Sequence, residues 1–266
     1  MRNRHLNIGL VGTGNVAWHL APAFEDAGHR VVAVYGRTPK RTKEMASRLY
    51  DAEILDAPDF SGSGADIVLL AVSDDYIGEV SENVAVDNGC LLVHCSGNVN
   101  VKALWTGHTS EIGVFYPLQT FSKNKSVDFE TVPFCIESSS EASAKMLVGL
   151  AESLGSEQVS EMDSNQRASL HASAVFACNF TNHLLVMSKK ICEKNGVGFE
   201  MLHPLLAETI NKAMEIGPEN SQTGPAKRRD FQTLEKHMDL LKDMSEAQGI
   251  YKTLTESILD LYGERV

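Results

Sequence analysis

A chain of 266 residues, 43% hydrophobic and 22% charged, is long enough for one large or two ordinary domains and has the composition of a soluble globular protein. No apolar run is long and polar-free enough to span a bilayer, and a net charge of -11 argues against bulk binding to nucleic acid or an anionic membrane. Cys90, Cys95, Cys135, Cys178 and Cys192 form no CxxC pair, so they read as buried, reduced thiols of a cytoplasmic protein, with no structural zinc or other metal.

The opening "MRNRHLNIGLVG" has basic residues and then an apolar run. The run leads into a glycine loop, so it reads as a first strand and not as a signal peptide. Further strands are expected over 30–35, 66–72, 91–94, 112–115 and 134–137. "DIVLLAV" and "CLLVHC" are apolar on both faces, which suits a parallel sheet covered by helices. Helical patterns over 16–27 and 40–50 lie between strands. The alternation implies an α/β domain over 1–162 with a doubly wound, mostly parallel Rossmann-type sheet.

The first turn, "GTGNVA", places Gly12, Gly14 and Ala17 in a GxGxxA pattern after a strand and before a helix. Gly12 permits the tight turn, Gly14 lets a pyrophosphate approach the backbone, and Ala17 lets helix and strand pack closely. Thr13, Asn15 and Val16 complete the loop, and the helix start offers N–H groups to phosphates. NAD-binding folds usually place an acid about 20 residues further on, against the ribose 2′-hydroxyl. Here the second strand ends in Tyr35 and Gly36, followed by Arg37, Thr38 and Arg41. Guanidinium and hydroxyl groups suit a 2′-phosphate and a carboxylate would repel it, so the cofactor is read as NADP(H). Three later loops should reach the same crevice. Ala71, Val72 and Ser73 pass under the ribose and nicotinamide. Ser96 and Gly97 offer a hydroxyl and N–H groups to a substrate carboxylate or the nicotinamide amide, and Tyr116 and Gln119 lie near the mouth. The alternative for each is plain turn chemistry.

From Asp163 the pattern becomes all-helical, so a helical substrate and dimerisation domain is expected over 163–266. Asp163 or Ser164 caps its first helix, with Gln166 or Arg167 in the first turn. The middle of that helix, "ASLHASAVFACNFTNHLLVM", is apolar nearly all round, so it should be buried on most sides as the spine of a domain or of a dimer interface. Phe199 to Ala213, Phe231 to Leu241 and Ile250 to Leu261 carry apolar residues at helical spacing, with "NGVG" and "GPENSQTGP" as breakers.

Taken in order, "GLVGTGNVAWHL", "VHCSG", "FYPLQTF", "LHASAVFACNF" and "TGPAKRRD" resemble the NADP oxidoreductases that join a Rossmann-like domain to a helical domain of unassigned function. That family is similar to the β-hydroxyacid dehydrogenase and pyrroline-carboxylate reductase superfamily. The resemblance covers essentially the whole chain and implies NADP binding and a homodimer formed through the helical domain. Family members usually carry His where this chain has Tyr116, and Arg-Gly-Asp where it has Arg228, Arg229 and Asp230. Both departures change charge or shape near the site, so the resemblance leaves the substrate open.

Chemistry at a nicotinamide needs a proton donor or acceptor and an anchor for the substrate. At 3.6 residues per turn, His171, Val175, Cys178 and Asn182 share one face of the long helix, with Asn179 at its border. A buried His beside a buried Asn is costly without partners. With the resemblance over this stretch, His171 is read as acid/base, Asn179 as substrate orienter and Ser96 as a third catalytic group. Gly97, Tyr116, Gln119 and Arg228 are read as substrate-binding. Arg228 and Asp230 equally suit an ion pair that fixes their loop. The expected activity is hydride transfer between NADP(H) and a small hydroxy, keto or imino acid. An NADP-binding regulator or scaffold without turnover, and electron transfer to a flavin-like carrier, are the other readings.

Overall fold

The apolar runs become the middle of one sheet in the computed structural model, which describes residues 5–106, 109 and 111–262. Its strands are β1 (Asn7–Val11), β2 (Arg30–Tyr35), β3 (Glu53–Leu55), β4 (Ile67–Leu70), β5 (Leu91–His94), β6 (Ile112–Pro117), β7 (Phe134–Ser138) and β8 (Val159–Glu161). They lie in the order β3-β2-β1-β4-β5-β6-β7-β8. All neighbours are parallel except β6 and β7, which run antiparallel with Tyr116 opposite Cys135 and Val114 opposite Glu137. The doubly wound Rossmann-type sheet is therefore present.

Why the central runs are apolar throughout is visible in the packing. Side chains alternate across a strand. Ile67, Leu69, Leu91 and Val93 enter one core with Phe24 of α1 (Asn15–Asp26), while Val68, Leu70 and Leu92 enter the other with Ile77 of α3 (Ile77–Asn83). β3 and β8 were not expected. Each spans only three residues, too short to show alternation. The helix expected over 40–50 is shorter, α2 (Pro39–Ala46), and α4 (Glu141–Ser153) packs on β7.

In α1, Pro22 has no N–H, so the Trp18 carbonyl loses its partner within the helix. Arg48 donates a hydrogen bond to that carbonyl and sets its guanidinium 4.0 Å from the centre of the Trp18 ring.

The chain divides into two compact units between Val175 and Phe176. The division falls later than the expected one at 162/163, because the start of the long helix is anchored in the first unit. This helix is α5 (Ser164–Ala174), a π-helical stretch (Val175–Phe180) and α6 (Thr181–Lys194). Asp163 caps α5. Its side chain accepts from the Asn165 and Gln166 amides at 2.8 and 2.9 Å, and Gln166 Oε1 accepts from the Asp163 amide at 3.0 Å. From Ser164 to Lys194 only Arg167 and Met187 are buried, so the expectation of a helix covered on most sides within the chain is corrected.

In the second unit, the expected second helix opens as a 3-10 turn (Phe199–Leu202) before α7 (His203–Ile216), where Pro204 occupies the first turn. A short α8 (Pro218–Ser221) lies inside the expected breaker. α9 (Phe231–Leu240) is capped by Asp230, and α10 (Ser245–Tyr262) follows. Met187, Leu241 and Ala247 form a small core there. Cys90, Cys95 and Cys135 are buried as expected, but Cys178 is exposed and Cys192 half-buried. No described helix is long and apolar enough to cross a membrane, and the described residues hold no cluster of His, Cys, Asp or Glu able to bind a metal.

Candidate active site

In open α/β sheets a ligand crevice forms outside the carboxyl ends of the strands where the strand order reverses. Here the order reverses at β1, and a cleft of about 460 Å³ lies there within the first unit. Gly12, Thr13, Gly14, Asn15, Val16, Arg37, Thr38, Arg41, Ala71, Val72 and Ser73 all line it, as do Ser96, Gly97, Tyr116 and His171.

The loop after β1 is shaped by backbone needs. Gly12 sits at φ 112°, and a Cβ there would come within 2.4 Å of the Ala71 carbonyl oxygen, so only glycine fits. Gly14 differs. Its φ of -76° is ordinary, and beyond its chain neighbours a Cβ would meet nothing closer than the Ala71 carbonyl oxygen at 3.8 Å. Gly14 is also the N-cap of α1 and brings no side-chain acceptor, which leaves the first-turn amides for a ligand.

Beyond β2, Arg37 stacks its guanidinium 4.3 Å from the centre of the Tyr76 ring. Thr38 is the N-cap of α2, yet its side chain makes no capping hydrogen bond. Sequence reasoning missed Tyr76. It follows β4 by only six positions, in the loop expected to line the crevice, and its aromatic ring was the available signal. Asp74 and Glu79 are the acids of the lining.

At the far side, the Tyr116 hydroxyl lies 3.0 Å from His171 Nδ1, and the two rings meet edge to face. Gly97 makes this pair possible. A Cβ there would stand 2.6 Å from His171 Nδ1 and 2.7 Å from Tyr116 Cζ. Ser96 is buried, and its hydroxyl oxygen accepts from the Asn98 and Val99 amides, both at 3.0 Å. That shapes the loop and leaves the Ser96 hydroxyl proton as a donor. Beneath the loop, fully buried His94 accepts from the Ser96 amide through Nδ1 at 3.1 Å. Burial first, and then the positive Arg167, push the His94 pKa down to about 3 against a smaller opposing pull from the Asn100 backbone, so its imidazole is neutral.

A Rossmann-like domain matches residues 1–112, and a domain of unknown function, DUF2520, matches residues 132–258. The chain is 36% identical to the putative NADP oxidoreductase BF3122 from Bacteroides fragilis, with a TM-score of 0.87 over 96% of this chain and 98% of that one. This chain belongs to the NADP oxidoreductase family that joins a Rossmann-like domain to DUF2520. Two more distant structures share the fold. One is an imine reductase from Myxococcus stipitatus in complex with NADP+, at 14% identity and a TM-score of 0.66 over 96% of this chain and 93% of that one. The other is a reductive aminase from Aspergillus terreus in complex with NADPH and ethyl-5-oxohexanoate, at 13% identity and 0.71 over 97% and 98%. No curated protein matches the chain.

For a member of this oxidoreductase family, the cleft fits a dinucleotide with a 2′-phosphate. The space over Gly14 is space a side chain would fill, and the Tyr35-Gly36-Arg37-Thr38 corner supplies a guanidinium and a hydroxyl where a carboxylate would exclude phosphate. Three sequence candidates are not part of this lining. Gln119 is exposed and outside the lining, with its Oε1 accepting from the Thr120 amide at 2.7 Å. Asn179 and Arg228 belong to the second unit, where both are exposed. The face projected from His171 through Cys178 to Asn182 does not carry through, because the π-helical stretch abandons the 3.6-residue count. Arg228 makes no side-chain ion pair among the described residues. Asp230 instead accepts from Thr233 through the amide at 3.1 Å and the hydroxyl at 2.7 Å.

Proposed function

We propose that this protein is an NADP(H)-dependent oxidoreductase acting on a small hydroxy, keto or imino acid, working as a cytoplasmic homodimer. The observation that carries the reading is that one cleft holds both the dinucleotide loop and the Tyr116–His171 pair. Gly12 to Val16 hold the pyrophosphate, and Arg37, Thr38 and Arg41 hold the 2′-phosphate. Bound NADPH supplies a hydride. His171 moves the matching proton to or from the substrate oxygen or nitrogen, and the Tyr116 hydroxyl at its Nδ1 fixes the ring. Ser96 and the Gly97 amide orient the substrate. A regulator that only senses NADP needs the loop but has no use for an imidazole and a phenol bonded beside it, so the pair favours an enzyme.

Calorimetry tests the cofactor half. NADPH should bind at least ~10-fold more tightly than NADH, since charge-assisted hydrogen bonds contribute roughly 1.5–3 kcal/mol each. Arg37→Asp should reverse that order. Equal affinity for the two cofactors would sink the reading. Turnover is then sought by following NADPH absorbance with a panel of keto and imino acids, where His171→Ala should lower kcat by about 10²–10⁴-fold and leave NADPH affinity unchanged.

A further inference from the structure

We propose that Arg167 is the positioning residue of this site: its guanidinium, wholly inside the protein, locks α5 to the rim of the cleft and thereby sets His171 against Tyr116 and Gly97. The inference rests on the reading of the cleft as the cofactor and substrate site.

Arg167 is the largest fully buried side chain among the described residues. Its guanidinium bonds Glu137 on β7 and the Val99 carbonyl in the loop after β5, and reaches Ser164 Oγ at 3.4 Å. Ser164 repeats the tie, donating to Glu137 Oε2 at 2.8 Å and accepting from the Val101 amide at 3.2 Å. One planar fork thus joins three segments: the start of α5, the end of β7 and the loop that carries Ser96 and Gly97. Positions four apart lie on one face of a helix, so His171 follows Arg167 on the face that meets the first unit's core. The loop held by Val99 is the one whose Gly97 leaves room for the His171 ring. The same guanidinium therefore fixes both partners of a contact that has no spare space.

Replacing a buried ion pair by apolar groups of similar size is commonly neutral or stabilising, so stability alone does not call for a charge pair, and the role assigned to this one is to hold a defined geometry. Arginine suits that task because its donors sit in a rigid fork, which lysine lacks.

The test uses the full-length protein labelled with 15N-histidine, with the His171 ring resonances assigned by their loss in His171→Gln. In the wild type, Tyr116→Phe should move the His171 Nδ1 resonance, reporting the bond between them. Arg167→Lys keeps the charge and loses the fork. The double variant Arg167→Met with Glu137→Gln removes both charges and leaves none unpaired. Both should fold with native circular dichroism, keep wild-type NADPH affinity, and show the Nδ1 shift that Tyr116→Phe shows. Wild-type His171 resonances in either folded variant would overturn the proposal. Failure of both variants to fold would overturn it too, since the pair would then be a stability element. Lack of NADPH binding by the wild type would defeat the cofactor reading alone and leave the histidine resonances as a test of position.

Discussion

His94 shows how a single buried imidazole ties this site to pH. Its pKa lies at about 3 in the fold against an ordinary 6.5, mainly through burial. The neutral form is therefore the one the fold accepts. As pH falls below 6.5 the unfolded chain takes up a proton that the folded chain refuses, and stability drops until about pH 3. The slope approaches ~1.4 kcal/mol per pH unit, so lowering pH from 7 to 5 should cost about 2 kcal/mol at this residue. His29, also pushed down by burial, acts in the same direction. Urea unfolding at the two pH values checks this. His94→Asn keeps an acceptor for the Ser96 amide and should flatten the dependence; an equal drop in that variant would refute the assignment. Gly97 offers a second test. Gly97→Ala forces a methyl to within 2.6 Å of His171 Nδ1. Crowding of this kind costs typically 1–3 kcal/mol, so the free energy of unfolding measured in urea should fall by about that much, while NADPH affinity stays near wild type. At this scale the sequence was informative where chemistry and backbone coincide. The GxGxxA loop and the Arg37-Thr38 corner announce themselves by residue type. The roles of His94 and Arg167 do not, because a buried polar residue is recognisable only through its partners.

Among the elements, α5 carries most of the functional weight, and its start is specified locally. Asp163 and Gln166 form reciprocal bonds at its first turn. Loss of such a cap costs about 1 kcal/mol. Asp163→Ala should lower the urea midpoint accordingly without changing the slope, and an unchanged midpoint would mean that Arg167 alone holds this end. The capping pattern, the central strands and the switch to helices at Asp163 could all be read beforehand, because each has a composition or a period. β3 and β8 could not, since three residues show no period. The π-helical turn over Val175–Phe180 was equally silent. It contains neither Pro nor Gly, and an i→i+5 ladder leaves no mark on apolar spacing. That silence cost the projected face through Cys178 and Asn182.

For the whole molecule, the informative surface is apolar. Phe176 is 72% exposed, Met201 72%, Leu205 62% and Met214 82%, all in the second unit. Exposed apolar side chains are the usual material of interfaces, and a stable dimer buries roughly 1,200–2,000 Å². The homodimer proposed above would cover side chains of this kind. Light scattering at micromolar concentration should give twice the 29.1 kDa chain mass, and Phe176→Asp with Met214→Asp should shift the protein to the single-chain mass. A single-chain mass for the wild type would end the proposal.

The antiparallel step from β6 to β7 has a consequence for how the imidazole reaches its place. Because β7 runs backwards and β8 follows it, the chain enters α5 from the edge of the sheet remote from the cleft. Arg167 meets Glu137, which stands opposite Val114 on β6, and His171 meets Tyr116, two residues further along that strand. Four helical residues advance about 6 Å and two strand residues about 6.6 Å. Helix and strand are thus two rulers laid side by side with matching marks. Inserting one alanine between Arg167 and His171 keeps the first mark and swings the second by about 100°. The histidine would then leave its phenol, although every residue of the site was still present.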